Sequence, residues 1–459
     1  SWDKQLEGAM HDPERQTLIE IYSGHGDSEV YSDFRTLTRN DEGELGCPEP
    51  SENYLPTCWR AGEVIEARCL AEGESMDECA SRAAEARQLA AQAGVSGHVV
   101  VPGIQSADLL DAGQCRDCDQ PAFNYRPGGS AQYIAAIGNF DETDETGRPR
   151  RFRFGFIGSS DIHSGRPGTG YKEVRRLSES PRRERREGSG GLIASYQRGE
   201  PEEPLAQARS YEEARASLSG LQLYETERVR SYLYTGGLVA VHAEGRSREA
   251  IWDAMERKEV YSTSGPRLLL WFDLIEENGT RPMGSELTMR DAPVFRVRAV
   301  GSRVQAPGCP QSTLDALGED RTASLCASEC YRPTDERRRI THIDVVRIRP
   351  QVEAGEDVGS LIDDPWQRFE CDGDPSGCVA TFVDPDFPKL SRDTVYYARA
   401  FEEPSPTVNG QPQRCTEWTD GRCTRTDLCG EDGECLSDYA HRAWSSPIYV
   451  DHPEARRSR

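Results

Sequence analysis

The stretch Phe154-Gly155-Phe156-Ile157-Gly158-Ser159-Ser160-Asp161-Ile162-His163-Ser164-Gly165 decides how this chain is read. An apolar run ends in small residues and then presents a carboxylate and an imidazole two positions apart, which is how a strand end offers metal ligands. Arg151 to Ile157 alternates charged and apolar residues before it closes, so it reads as a strand entering a sheet or barrel. If the strand ends near Ser160, Asp161 and His163 turn toward one point at the carboxyl edge, where parallel α/β folds keep their sites. Carboxylate plus imidazole suits zinc or manganese, and also iron. Read alone, a D-x-H is more often an Asp capping a turn beside a surface His, so the context has to carry the assignment.

That context begins upstream. Thr17-Leu18-Ile19-Glu20-Ile21-Tyr22 is a second short β-rich run, and it empties into Ser23-Gly24-His25-Gly26-Asp27-Ser28-Glu29. Two strands therefore deliver polar residues into loops of small residues. Glu20, His25, Glu29, Asp161 and His163 together would supply three carboxylates and two imidazoles, enough to hold a cation and leave a general base over. Each has a plainer role too. Glu20 could face solvent from its strand, His25 could serve the glycine loop as a hydrogen-bonder, and Glu29 could cap the next helix. Ser160 reads as a neighbour that orients the ligands, since no G-x-S-x-G elbow surrounds it. Arg126, in Tyr125-Arg126-Pro127-Gly128-Gly129, and Arg166 with Lys172, in Arg166-Pro167-Gly168-Thr169-Gly170-Tyr171-Lys172, sit in glycine-rich loops that suit a phosphate or sulfate. Arg-Pro-Gly is equally a turn with a surface charge. His242 follows an apolar run and reads as a core histidine.

Composition narrows the partners. Asp plus Glu number 79 against 55 Lys plus Arg, a net charge of −24 over 459 residues, which opposes binding to nucleic acid. The Arg-rich run from Arg175 to Arg186 is interrupted by Ser, Pro and Glu and reads as a solvated loop. The longest apolar run, Leu268 to Phe272, is far short of the roughly 20 residues that cross a bilayer. Fifteen cysteines fall into one group between Cys47 and Cys118 and another between Cys309 and Cys435, many beside Gly, Pro and Asp. That pattern predicts disulfide-stapled insertions and a periplasmic or secreted protein, the odd total leaving at least one thiol free or paired outside this chain. A lone C-x-x-C, Cys115 and Cys118, is read as a disulfide because a zinc ribbon needs a second pair. Ser1-Trp2-Asp3-Lys4 shows neither an initiating Met nor a signal peptide, so the chain is expected to start mid-protein.

Length predicts two or three domains. Residues 1–285 read as α/β, with a Cys-rich helical insertion at about 41–120 that places helices between Gly62 and Gly94. The run Gly236 to His242, an N-cap at Ser247, a helix from Arg248 and a return strand at Val260 read as an α/β repeat. From 286 to 459 the runs Val294–Val300, Ile343–Ile348, Val395–Ala400 and Pro447–Val450 alternate between Pro/Gly turns and predict a β-sandwich with Cys-rich loops.

Four segments taken together, Ile19 to Glu29, Gly155 to His163, Ala250-Ile251-Trp252-Asp253-Ala254-Met255 with Tyr261 to Arg267, and Arg442-Ala443-Trp444-Ser445-Ser446-Pro447-Ile448, resemble the bacterial domain-of-unknown-function family 3604. That family is similar to the polymerase-and-histidinol-phosphatase (PHP) metallo-hydrolases. The resemblance implies part of a distorted (β/α)7 barrel, divalent metal ions, and Asp161 with His163 as the final D-x-H ligand pair. It also implies that an opening H-x-H strand and the middle ligands lie in a missing N-terminal part of the same protein. The expected activity is metal-dependent hydrolysis of a small anionic ester, a phosphoesterase first of all. Metal-activated water would do the chemistry, His25 or Glu29 would carry protons, Glu20 and Ser160 would line the site, and Arg126, Arg166 and Lys172 would hold the anion. With two ligands only, the chain by itself is expected to turn over weakly or not at all. The alternative is a secreted, non-catalytic scaffold that binds a glycan or a protein.

Overall fold

The computed structural model describes residues 2–104, 106–109, 112–113, 115–122, 125–144, 147–160, 202–216, 218, 234–326, 330–408, 410, 415–419, 422–426 and 436–455. It is a mixed α/β structure.

In the first part, β1 (Leu18–Ser23) turns back into β2 (Gly26–Asp27). Two helices then form a hairpin, α1 (Thr57–Ala71) and α2 (Met76–Ala93). Ser75 caps α2, its side chain accepting the Glu78 N–H, and Gly94 ends the helix at φ 60°. Ala61, Ile65, Ala86 and Ala90 fill the seam between the two helices. Cys69–Cys79 closes the hairpin and Cys47–Cys58 ties its start, so the stapled insertion takes the form the sequence predicts. Cys115–Cys118 is a disulfide as well, with an S–S distance of 2.02 Å. A short helix, α3 (Ala131–Ala136), precedes β3 (Gly155–Gly158), which lies parallel to β1 in the register Leu18↔Gly155 to Tyr22↔Gly158. Among the described residues of this part, β1 and β3 are the parallel pair, in a sheet ordered β2-β1-β3. The described residues trace no barrel.

The stretch read as an α/β repeat folds differently. β4 (Leu238–Val241) leads to α4 (Arg248–Glu256), capped by Ser247, and then to β5 (Val260–Thr263). The helix is where the sequence puts it, but β5 returns antiparallel beside β4, pairing Val239 with Ser262. Thus the strand–helix–strand unit closes as a long hairpin.

The β-rich part is a sandwich. One antiparallel sheet joins β6 (Leu269–Glu276), β7 (Gly279–Pro282), β9 (Val294–Val300) and β12 (Cys378–Val383). The larger sheet joins β4 and β5 to β8 (Glu286–Thr288), β10 (Ile340–Ile348), β11 (Ile362–Glu370), β13 (Thr394–Glu402), β14 (Arg442–Ser445) and β15 (Ile448–Asp451). Residue 285 therefore falls inside this framework, because β4, β5 and β6 precede it and share sheets with strands that follow it. Phe272, Phe295, Val345, Tyr396 and Ala398 interlock between the sheets, all of them buried. The period of two explains the packing: alternate residues of each strand meet the facing sheet. Cys309–Cys330 and Cys371–Cys378 close loops at its margins. Cys326 is a free thiol among the described residues, and how Cys415, Cys423, Cys429 and Cys435 pair lies outside them.

All nine residues of β13 are buried, so the larger sheet is covered on both faces. Tyr396, Ala398 and Ala400 point into the sandwich, whereas Val395 and Tyr397 pack with Tyr22, Phe156 and Trp444 against the first part of the chain. This second face positions the candidate site.

Candidate functional site

The site begins where β1 and β3 end side by side. Their pairing continues past Gly158, with the Ser159 N–H donating to the Tyr22 carbonyl at 3.0 Å. β3 runs so close to its neighbours that a Cβ on Gly158 would stand 2.5 Å from Ser262 Oγ and 2.9 Å from the Leu238 carbonyl. Only glycine fits there. Ser160 follows, half-buried. Asp161, His163, Arg166 and Lys172 lie outside the described residues. What the structure gives is the point of departure: the chain leaves β3 toward Asp161 at the same edge at which it leaves β1 toward His25.

His25 is half-buried in the turn between β1 and β2, its N–H donating to Ser23 Oγ at 3.1 Å. The preceding Gly24 carbonyl accepts the Tyr234 N–H at 2.8 Å. Gly26 adopts φ 111°, and a Cβ there would meet the Gln120 carbonyl at 2.6 Å, so the turn is pressed against the 115–122 loop. Glu20 projects from β1 into solvent, one of the two faces the sequence leaves open for it.

Glu29 is the surprise of the loop. It is fully buried, 0% exposed, and both carboxylate oxygens are taken. Tyr397 Oη and Arg399 Nη1 donate to Oε1, the latter at 3.3 Å, and Trp444 Nε1 donates to Oε2. Burial pushes this carboxyl up, the Arg399 guanidinium pulls it back, and the nearby Asp364 charge raises it again. Arg399 also pairs with Asp364 and lies 3.6 Å from Asp344, which Arg368 grips at 2.6 Å. Gln132 Nε2 completes the network, donating to Tyr397 Oη at 2.8 Å and Asp364 at 2.6 Å. Glu29 therefore ties the loop to the sandwich.

Arg126 is half-buried, with Nη1 donating to the Tyr125 carbonyl at 2.8 Å. The N–H groups of Gly129 and Ser130 close the turn onto Arg126 and Pro127. His242, expected in the core, is instead half-buried, held by the Leu270 carbonyl at 2.8 Å beside Tyr261 and Trp271.

Sequence reasoning missed Tyr397, Arg399, Trp444 and Arg442. Trp444 sits in one of the segments that carry the family resemblance, yet a Trp in a β run signals only packing. Its partner lies 415 residues away in the chain.

Residues 142–306 match the family described as protein of unknown function (DUF3604), in agreement with the resemblance read from the sequence. The matched region contains the Asp161/His163 and Ala250-to-Arg267 segments, whereas the Ile19-to-Glu29 and Arg442-to-Ile448 segments lie outside it. Comparison with curated proteins gives no match, and neither does comparison with solved structures. The five disulfides among the described residues are consistent with an extracellular location, and no helix among those residues is long and apolar enough to cross a membrane.

Proposed function

We propose that the DUF3604-matching region serves a metal-dependent hydrolase related to the PHP enzymes, acting on a small anionic ester, with phosphate esters the first class to test. One observation carries this reading: β1 and β3 are parallel neighbours whose carboxyl ends open at one edge, so the turn bearing His25 stands beside the exit toward Asp161 and His163. Open parallel sheets bind ligands at that edge. The donor set, one carboxylate and one imidazole, fits zinc or manganese, with iron next. When bound, such an ion would lower the pKa of a water and supply the nucleophile. His25, half-buried in the turn, would take up or return a proton. Arg166 and Lys172, two and eight positions after Ser164 in the chain, would neutralise the ester's charge, and further metal ligands would come from an upstream H-x-H segment.

The test uses this chain joined to its upstream coding sequence, with metal content and hydrolysis of generic phosphate esters as separate readouts. Asp161→Ala and His163→Ala are each expected to lower kcat/KM by at least about 100-fold, the scale lost with one electrostatic contact to a reacting group, and to lower bound metal. Unchanged turnover in both variants rejects the proposal. A metal-free protein that retains a saccharide on a glycan array would instead favour the scaffold reading.

A further inference from the structure

Beside Glu29 lies an acid that the proposed reaction does not use. Asp27 ends β2 and is only 4% exposed. Its Oδ1 accepts the Glu29 N–H at 2.7 Å, whereas Oδ2 is buried with no hydrogen-bond partner among the described residues. A buried carboxylate oxygen left in this state is costly, by about 1–3 kcal/mol or more for a charged group, and native structures seldom tolerate it without a reason.

The surroundings are fixed. The Asp27 N–H donates to the Gln120 carbonyl at 2.8 Å, and the Ala122 N–H donates back to the Asp27 carbonyl at 3.2 Å. The Cys115–Cys118 disulfide closes the start of this facing loop, and the close approach at Gly26 leaves no room for it to slide. From the same loop comes Asp119, whose Oδ2 accepts Tyr439 Oη at 2.9 Å and pairs with Arg442 Nη2 at 3.0 Å. Burial pushes the Asp27 carboxyl well up, the charges of Glu29 and Asp119 raise it further, and Arg442 acts against them.

Charge balance points the same way. The linked network holds Asp27, Glu29, Asp119, Asp344 and Asp364, against Arg368, Arg399 and Arg442. Fully ionised, it keeps two surplus negative charges, the charge of one divalent cation. Buried charges are stable only when they are paired or coordinate a metal.

We propose that Asp27 and Asp119 form a site for one hard divalent cation of the calcium type, clamped between the Gly24–Glu29 loop and the 115–122 loop. The available donors are oxygens: the two carboxylates, with the Gln120 and Asp27 carbonyls in the bridge between the same two loops. Calcium accepts such donors in irregular geometry, magnesium demands a regular octahedron, and zinc selects nitrogen and sulfur. The site joins the insertion to the sandwich through Tyr439 and Arg442, so its role is to lock the first part of the chain to the larger sheet. It does not depend on the hydrolase reading.

The experiment titrates calcium chloride, and in parallel magnesium and zinc chloride, into chelator-treated protein by calorimetry, and follows the thermal unfolding midpoint. One calcium equivalent is expected, with a raised midpoint. Asp27→Asn and Asp119→Asn should each weaken calcium at least tenfold and abolish the shift. Asp27→Asn keeps the shape of the side chain and removes a buried charge, so this variant should fold, as a cooperative unfolding transition will report. Asp161→Ala should bind calcium as the parent does. Absence of calcium binding by the folded parent overturns the proposal. So does binding that neither Asn variant weakens, or an Asp27-dependent preference for zinc.

Discussion

The two faces of the larger sheet are built on different physics. Toward the sandwich, β13 presents Tyr396, Ala398 and Ala400, and β10 presents Ile343 and Val345, an apolar surface with Phe272 and Phe295 opposite. Toward the first part of the chain the same strands present Tyr397, Arg399 and Asp344, and β14 adds Arg442 and Trp444. One face is held by area removed from water, which is non-directional. The other is held by hydrogen-bonded charges whose partners must be in place. The apolar face should therefore yield gradually to substitution, and the charged face abruptly.

Arg399→Met probes the sharpest part of that difference. It leaves Glu29 and Asp364 buried without their cation, and a loss of about 3–5 kcal/mol is expected in urea unfolding. Adding Glu29→Gln to Arg399→Met should recover at least about 1 kcal/mol, because residues in one network couple rather than add. A loss under 1 kcal/mol in the single variant would mean that the charged face does not bind the two parts together.

Val345→Ala tests the apolar face. Removing two methyl groups from the sandwich core should cost about 2 kcal/mol, transfer and cavity together. A cost equal to that of Arg399→Met would erase the distinction between the faces.

The smallest effect is a pH dependence at His342, which stacks on Phe401 at 4.2 Å on the charged face. Burial holds its pKa below 6.5 and the Arg368 charge lowers it further, with Asp344 opposing. The unfolded chain then binds a proton more readily than the folded one, so stability is complete above about pH 6.5 and declines as pH falls from there toward the folded pKa. His342→Gln should flatten that part of the stability profile. An unchanged slope between pH 5 and 7 would place the titrating group elsewhere.

The contrast also explains what could be read from the sequence. The sandwich strands, the helix hairpin and its two disulfides follow from local signals: period two at Val294–Val300, a Ser cap and a closing Gly around Met76–Ala93, and thiols about ten residues apart. The antiparallel return of β5 does not, because strand, helix and strand in succession look alike whichever way the last strand runs. At the site, the β1 and β3 ends and their polar loops were legible as apolar runs emptying into small residues. The burial of Glu29 was not, since its partners Tyr397, Arg399 and Trp444 are set by a sheet whose strands meet only in the folded molecule. Asp27 carried no signal beyond being one acid in a polar loop.

Each of the five disulfides among the described residues joins cysteines at most 21 residues apart, and none of them links the first group of cysteines to the second. Each of these rings can consequently shut within its own short segment, and the three rings of the first group lie ahead of every strand of the larger sheet. Oxidation is thus decoupled from assembly: a reductant would open the insertions one at a time while leaving the interlocked sheets standing.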